Sequence, residues 1–196
     1  MKLPTIYLLR HGETLWNSEG RYQGQLDSAL TLKGEEQAKT NALKLSKYVD
    51  IKDVKFFSSP LGRAKATAEI IAEHSGLENS KIIFEDDIQE FNYGIFEGQT
   101  KEYCKDVYAK EFSEREANKF SYVLEGGESY INVFERLMRW LSSVQNEKVI
   151  VVVAHEMINR ALRGIYCSLT TEEMLTLRQA NDVLIKLENR SEIILD

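Results

Sequence analysis

The sequence predicts an α/β fold: a mainly parallel central sheet with helices on both faces, arranged as a three-layer α/β/α sandwich. Short apolar segments without polar alternation indicate strands that are buried on both faces. Segments with apolar residues at helical spacing lie between them, and they are long enough for right-handed crossovers between parallel strands. The 196 residues contain no internal repeat and no proline- or serine-rich linker, so we expect a single domain over residues 1–196.

The first half of the chain predicts two strands and two helices. Residues 5–9 form the first apolar, β-branched segment, and apolar residues recur at helical spacing from Thr31 onward. Residues 54–57 predict a second buried strand. Ser59 is predicted to be the N-cap of the following helix, because the proline after it favours the first helical position, and Gly76 marks the end of that helix.

The second half predicts a helix, a strong strand and an antiparallel pair. Ser129 opens a helix with a continuous apolar stripe, and residues 149–153 are the strongest strand segment in the chain. Residues 182–187 and 192–195 are predicted to close the sheet as an antiparallel pair. The charged segment 91–121 interrupts this pattern, and we interpret it as a small helical insertion with a solvated face that can form one wall of a cleft.

Composition and charge exclude several classes of function. The formal charge of −6 and the pI near 5.3 disfavour a nucleic-acid or anionic-membrane partner, although a local basic pocket is compatible with both values. No apolar segment approaches the ~20 residues of a membrane helix, and no export signal is evident, so we expect a cytoplasmic protein. Cys104 and Cys167 are too few for a disulfide framework and are interpreted as reduced packing residues.

Arginine and histidine residues follow three of the predicted strands. Arg10 and His11 follow the first strand, Arg63 lies at the helix start after the second, and His155 follows the strand over residues 149–153. If these strands are parallel, their carboxyl ends share one edge of the sheet and bring two imidazoles and two guanidiniums together. Such a set suits a phosphoryl group, because guanidiniums bind anionic oxygens in a fork and a neutral histidine can act as nucleophile.

Two alternatives to a phosphoryl site remain open for these residues. Taken singly, a strand-terminal histidine or arginine is more often a hydrogen-bonded structural group, and only the convergence of several junctions favours a site. A metal ion would add a cation beside two arginines, and no group of carboxylates or cysteines has ligand spacing. We therefore predict no metal and no other cofactor.

Several motifs occur in a defined order along the chain. They are Leu9-Arg10-His11-Gly12-Glu13-Thr14; Trp16-Asn17; Arg21-x-Gln23-Gly24; Asp27-x-x-Leu30-Thr31-x-x-Gly34-x-x-Gln37-Ala38; Ser58-Ser59-Pro60-Leu61-x-Arg63-Ala64-x-x-Thr67-Ala68; Glu90 with Gly94 and Phe96-Glu97-Gly98; and Gly126-Gly127-Glu128-Ser129. From the first strand to Arg160, this set resembles the histidine phosphatase (phosphoglycerate mutase-like) superfamily. The Arg-His-Gly tripeptide alone would be a weak signal, but the ordered set is highly specific.

The resemblance implies a role for each matching residue. His11 would be phosphorylated during turnover, while Arg10, Arg63 and His155 hold the phosphate. Glu90 would protonate the leaving oxygen in the first step and activate the attacking water in the second; without the resemblance it would be interpreted as a solvated loop carboxylate. The remaining matches are positions that line the phosphate pocket: Gly12, Asn17, Gln23 and Gly24.

One position departs from the pattern of the superfamily. Glycine usually follows the second histidine, whereas Glu156 follows His155 here. A carboxylate that faced a bound phosphate would be unfavourable by several kcal/mol at roughly 4 Å with an effective dielectric constant near 20. We therefore expect the Glu156 carboxylate to point away from the phosphate.

Three functions are compatible with the sequence. The first is hydrolysis of a small phosphorylated metabolite by an acid-type histidine phosphatase, because residues 91–98 resemble the phosphatases of the superfamily more than its glycolytic mutases. The second is a phosphoglycerate mutase, which needs a closed site and a basic cluster for a second phosphate, and no such cluster is evident after Glu90. The third is an inactive phospholigand-binding module, which Glu156 favours but the intact His11, Arg10, Arg63 and Glu90 disfavour.

Overall fold

The centre of the computed structural model, which describes residues 3–196, is a six-stranded mixed sheet. The strands are β1 (Thr5–Arg10), β2 (Lys55–Ser58), β3 (Ile82–Phe84), β4 (Val149–Ala154), β5 (Leu184–Glu188) and β6 (Ser191–Leu195). Their order in the sheet is β3-β2-β4-β1-β5-β6. The first four strands are parallel, β5 runs antiparallel to β1, and β6 runs antiparallel to β5, so the predicted fold class and the closing pair are confirmed.

Eight α-helices lie within the described part of the chain. They are α1 (Leu15–Ser18), α2 (Leu32–Ser46), α3 (Gly62–His74), α4 (Lys101–Val107), α5 (Ala109–Ala117), α6 (Tyr130–Ser143), α7 (Glu156–Cys167) and α8 (Thr171–Thr176). The predicted helix starts at Thr31 and Ser129 are confirmed, because each of these residues is an N-cap whose side chain accepts a backbone N–H bond of the first turn. None of these helices is long and apolar enough to cross a membrane.

The core has two halves because the central strands are covered on both faces. Ile6 and Leu8 of β1 belong to the cluster that contains the apolar faces of α6 and α7. Tyr7 and Leu9 point to the opposite face, where they pack with α2 and α3. Alternate residues of one strand therefore enter different halves of the core, which is why the strand shows no polar alternation.

The structure corrects the predicted start of α3. Ser59 is not its N-cap, because the Ser59 backbone still continues the edge of the sheet and donates to the Val153 carbonyl at 3.0 Å. The helix begins at Gly62 instead. The carboxylate of Asp27, which lies in a different loop, accepts a bond from the Arg63 N–H at 3.2 Å and takes the capping role.

The charged segment after residue 91 has two kinds of face. Lys105 and the outward side chains of α4 and α5 are exposed, as predicted for a solvated helical face. Phe91, Tyr93 and Phe96, by contrast, are buried in the same core cluster as α6 and α7. Cys104 is buried there too, which agrees with its interpretation as a packing residue and raises the pKa of its thiol to about 11.

The strand register determines where the functional side chains meet. Arg10 pairs with Ala154, and Ser58 pairs with Val153, so β1, β4 and β2 end at the same level of the sheet. The short strand β3, which the sequence analysis did not predict, ends beside Ser58 and leads into the loop that carries Glu90. Four parallel strands therefore deliver polar residues to one edge of the sheet.

Candidate active site

Both predicted histidines lie at this edge, on adjacent strands. His11 follows β1 and His155 follows β4, and their ring centroids are 5.2 Å apart. The His11 N–H donates to the Ala154 carbonyl at 3.0 Å, which continues the ladder between the two strands. The convergence that the sequence predicted is therefore present in the fold.

The His11 ring is oriented by one hydrogen bond. Its Nδ1 lies 2.7 Å from the carbonyl oxygen of Gly12, and because a carbonyl only accepts, Nδ1 carries the proton. Nε2 is then the nitrogen with a lone pair. Burial, together with the nearby guanidiniums of Arg63 and Arg10, holds the pKa of His11 well below its usual range, so the ring is neutral at pH 7.

His155 is fully buried beside His11. Its Nε2 lies 2.8 Å from the hydroxyl oxygen of Ser59, and its Nδ1 has no hydrogen-bond partner among the described residues. Burial, and then the charge of Arg63, lowers the pKa of His155 well below its usual range. His155 therefore enters the site as a neutral ring.

Arg63, on the first turn of α3, joins this edge to a neighbouring loop. Its Nη1 donates to the Leu26 carbonyl at 2.8 Å and lies 3.2 Å from the Asp27 carboxylate, while Nη2 donates to the Gly24 carbonyl at 2.7 Å. Its Nε is buried and has no partner within residues 3–196. Arg63 thus positions the 24–27 loop and retains a donor for an anion.

Glu156 does not point away from the site, contrary to the sequence-based expectation. Its Oε2 lies 2.7 Å from Nη1 of Arg10, and its Oε1 lies 3.5 Å from Arg160. The reason is electrostatic: at the first position of α7, the carboxylate lies between two guanidiniums that are themselves largely buried. Nη1 of Arg10 also donates to the Gln179 carbonyl at 2.9 Å, while its buried Nε has no partner in the described chain.

Glu90 is a buried carboxyl group and not a solvated one. Its Oε1 accepts a bond from the Phe91 N–H at 2.9 Å, and its Oε2 lies 3.5 Å from the Met157 N–H. Burial raises the pKa of Glu90, against the opposing effects of Arg63 and Arg10. The protonated form that a general acid requires is therefore favoured relative to an exposed glutamate.

The four residues predicted to line the phosphate pocket lie around this centre. A side chain at Gly12 would overlap the backbone of Gly34, and Gly24 has a positive φ of 55° and a carbonyl that accepts the bond from Arg63. The Asn17 side-chain oxygen accepts from the Thr14 N–H at 3.1 Å. The Gln23 oxygen accepts from the Thr14 hydroxyl at 2.9 Å. Both amides thus use their oxygens within the loop and keep their NH₂ groups as donors.

The unpaired nitrogens suggest what this arrangement can bind. Six buried side-chain polar atoms in residues 3–196 have no hydrogen-bond partner, and three of them belong to Arg10, Arg63 and His155. Buried donors without partners are costly, and an anion with several acceptor oxygens would satisfy them. No group of three or more metal-ligating side chains occurs within this described range. The donor set therefore fits a phosphoryl group.

A basic pocket of about 270 Å³ adjoins this centre, and Glu156 and Met157 lie in its wall. Its cationic lining residues are Arg21, Lys101, Arg115, Lys119, Arg160 and Arg178. The sequence-based inference that no basic cluster follows Glu90 is therefore wrong: five of these residues follow Glu90 at separate positions along the chain, and the fold brings them together. The insertion forms one wall of a cleft, as predicted.

Arg136 and Asn181 support the site but were not singled out from the sequence, whereas Glu128, the partner of Arg136, was recognised only as part of a motif, without a role. Arg136 donates to the Asp87 carbonyl at 2.7 Å and lies 3.4 Å from the Glu90 carbonyl, and Glu128 holds Arg136 at 2.8 Å. Asn181 donates to the His11 carbonyl at 2.6 Å. Glu128 belongs to a recognised motif, which was a usable signal, whereas Arg136 and Asn181 follow no local pattern.

Comparison with known proteins places these observations in one family. A family model for the histidine phosphatase superfamily (branch 1) matches residues 6–192. Phosphoserine phosphatase 1 of Hydrogenobacter thermophilus is 33% identical over 199 residues, which cover 97% of this chain and 90% of that protein. A 2-carboxy-D-arabinitol-1-phosphatase of Triticum aestivum is 35% identical over 90% of this chain, but this chain spans only 35% of that relative's length.

The chain is also similar to a protein of Escherichia coli and to a solved structure from Shigella flexneri. A protein of Escherichia coli O1:K1 / APEC named "Probable phosphoglycerate mutase GpmB" is 49% identical over 92 residues, which cover 47% of this chain and 40% of that protein. The crystal structure of the alpha-ribazole phosphatase from Shigella flexneri has a TM-score of 0.79 and 23% identity, and the match covers 97% of this chain and 94% of that one. The structural match shows the shared fold.

Replacement of Glu156 by glutamine should tighten the binding of inorganic phosphate by about tenfold or more, which corresponds to about 1.4 kcal/mol. Glutamine can still accept a hydrogen bond from Arg10 but removes the negative charge that competes with phosphate for this guanidinium. Titration calorimetry with inorganic phosphate measures the change. Glu172→Gln, an exposed substitution on α8, is the matched control and should bind as the unaltered protein does. A change of less than twofold in Glu156→Gln would show that the carboxylate does not compete with the anion.

Proposed function

The chain belongs to the histidine phosphatase superfamily (branch 1), and we propose that it hydrolyses a phosphate monoester of a small metabolite through a phosphohistidine at His11. The observation that carries this proposal is the state of His11: a neutral ring whose Nδ1 is bound to the Gly12 carbonyl, so that Nε2 is the nucleophilic atom. The phosphatase names of the relatives support the same reaction class.

In the first step, the ester phosphate is bound by the donors of Arg10, Arg63 and His155. Nε2 of His11 attacks phosphorus, the new N–P bond forms as the P–O bond to the leaving group breaks, and the guanidiniums stabilise the charge on the equatorial oxygens. Protonated Glu90 transfers its proton to the leaving oxygen, so an alcohol departs instead of an alkoxide. Burial of Glu90 supports this role, because it favours the protonated form.

In the second step, water attacks the phosphohistidine. Glu90, now ionised, takes a proton from this water, the N–P bond breaks, and His11 returns to its neutral form as inorganic phosphate leaves. The nearby charges of Arg63 and Arg10 stabilise the ionised Glu90 between the two steps. One carboxyl group can thus serve as acid and then as base.

The mutase is the second candidate, and the basic pocket is the observation that favours it. A second phosphate could be bound by the cations beside the catalytic centre. In a mutase, the phosphohistidine would pass its phosphoryl group to a substrate hydroxyl and not to water. A phosphate-release screen and a mutase assay on the same preparation distinguish the two reactions.

His11 should form an acid-labile, alkali-stable phosphoprotein during turnover. Rapid quenching of a reaction with ³²P-labelled substrate should trap this species, and it should form equally well in the presence of a chelator because Arg10 and Arg63 supply the positive charge. His11→Ala should lose both labelling and phosphate release. His74→Ala, which alters an exposed histidine of α3, is the matched control. Undiminished labelling of His11→Ala would disprove the assignment.

Glu90→Gln should slow phosphohistidine formation much more for an alkyl phosphate than for nitrophenyl phosphate. An alkoxide is a poor leaving group and depends on proton donation, which contributes a typical ~10² to 10⁴-fold, whereas nitrophenolate leaves with little help. The single-turnover rate of His11 labelling measures this step without interference from the attack of water. Equal losses for the two esters would indicate that Glu90 shapes the pocket and does not donate the proton.

The labelling rate with an alkyl phosphate should be highest on the acid side of neutrality, the behaviour of an acid-type phosphatase. The pKa of His11 is lowered from about 6.5, so the nucleophile stays neutral as the pH falls. The pKa of Glu90 is raised from about 4.5, so the rate declines as the pH rises through that raised value and Glu90 loses its proton. Glu90→Gln should lose this decline, while ionisation of the substrate affects both proteins equally. A rate that rises with pH through neutrality would contradict these protonation states.

A further inference from the structure

The basic pocket beside the catalytic centre has more positive charge than its surroundings balance. Within its wall, two carboxylates face the six cations named above. Glu156 is shared between Arg10 and Arg160, and Glu116 is shared between Arg115 at 3.3 Å and Lys119 at 2.9 Å. Arg21 is paired with Glu19 outside the pocket. A surplus of positive charge remains, in a protein whose formal charge is −6.

Of the two buried arginines in this lining, Arg115 has fewer hydrogen-bond partners than Arg160. Its side chain is 9% exposed, and the bond to Glu116 at 3.3 Å is its one hydrogen bond to the described residues. A guanidinium has five donors, so most of the hydrogen-bonding capacity of Arg115 is unused by the protein. Such a buried cation with few partners favours an anionic ligand.

Aromatic rings hold Arg115 close to the catalytic acid. Its guanidinium carbon lies 5.0 Å from the centre of the Tyr93 ring and 5.9 Å from that of Phe91, the residue after Glu90. The rings of Phe91 and Tyr93 are themselves 4.9 Å apart and buried. Cation–π contact with this pair fixes the position of the charge. Arg115 is therefore a rigid element of the wall, unlike a mobile surface lysine.

Arg160 adds a second oriented guanidinium to the lining of the pocket. Arg160 donates through Nη1 to the Tyr130 hydroxyl at 3.1 Å and through Nε to the Leu177 carbonyl at 3.0 Å. Tyr130 packs on Phe91 with ring centroids 5.3 Å apart, so both arginines rest on the same aromatic cluster. At about 270 Å³, the pocket lies just below the ~300–1,000 Å³ of typical small-molecule sites, which favours a compact substrate.

From this geometry we infer that the substrate is a small phosphomonoester with a second anionic group, a carboxylate or another phosphate, which Arg115 binds while the ester phosphate lies at His11. This inference rests on the proposed phosphatase function and specifies its substrate class. Arg115 is a specificity-determining residue in this reaction, since it binds the end of the substrate that does not react. Alkyl phosphates with an uncharged tail lack the group that it would bind.

Two matched pairs of esters test the inference. The carboxylate pair is 3-phosphoglycerate and glycerol 3-phosphate, and the phosphate pair is propane-1,3-diyl bisphosphate and 3-hydroxypropyl phosphate. Within at least one pair, the ester with the anionic tail should have a kcat/KM at least about tenfold higher than the ester with the uncharged tail. The pair that shows the larger ratio identifies the second group. If the two kcat/KM values were equal in both pairs, or higher for the ester with the uncharged tail, the inference would be overturned. The proposed phosphatase function would stand.

Variants of the pocket then test whether Arg115 causes the preference for an anionic tail. Arg115→Gln should reduce the ratio of kcat/KM within the preferred pair by about tenfold, mostly through KM, and Arg115→Lys should reduce it less. Lys105→Gln removes the same charge from an exposed position of the insertion that does not line the pocket, and it should leave the ratio unchanged. Thermal melting confirms that each variant is folded. An unchanged ratio in folded Arg115→Gln would remove Arg115 from the assignment.

Binding separates failure of the inference from failure of the proposed function. If no ester in the panel is hydrolysed, the proposed function fails, and calorimetric binding of the same pairs tests the pocket alone. If the ester with the anionic tail bound more tightly, and this difference was lost in Arg115→Gln, the result would still support an anion subsite. Equal binding of both members of each pair would reject that subsite as well.

Discussion

The parallel pairing of β4 with both β1 and β2 is the constraint on which the site depends. Because Arg10 lies opposite Ala154 and Ser58 lies opposite Val153, three strands end at one level and their next residues meet. A slip of one residue would turn the side chains of a strand to the opposite face and separate the two histidines. Burial of β4 on both faces specifies that register, since all of Ile150–Ala154 is enclosed. The strand register that buries β4 is therefore also the register that brings the site residues together.

Burial has opposite effects on the two groups that carry the proposed chemistry. It disfavours the charged forms of His11 and Glu90, so the pKa of the histidine is lowered and the pKa of the carboxyl group is raised. Arg63 and Arg10 reinforce the first effect and weaken the second. A nucleophile and an acid thus coexist in one enclosure without neutralising each other. The balance also explains how Glu90 can ionise after it donates its proton, because the guanidiniums remain beside it.

Positively charged side chains are concentrated around one pocket of this protein, although its formal net charge is negative. Glu156 occupies the position where the superfamily usually has glycine, and it compensates part of the charge of Arg10 and Arg160. Beyond it, Arg115 lies on aromatic rings with little compensation. Glu156 therefore neutralises part of the positive charge near Arg10 and Arg160, whereas the lining around Arg115 keeps a surplus of positive charge. This contrast is consistent with a substrate that is anionic at both ends.

The order and spacing of motifs were enough to predict the fold class and the meeting of His11 and His155 at one edge of the sheet, because these features depend on local periodicity and on the residues that directly follow strands. The cap of α3 by Asp27, the turn of Glu156 toward Arg10 and the gathering of Lys101, Arg115 and Arg160 were decided by tertiary structure. Each of these depends on contacts between segments far apart along the chain. Local patterns carry no information about which distant charge a side chain will meet, and only the packing of helices and loops around the sheet supplies it.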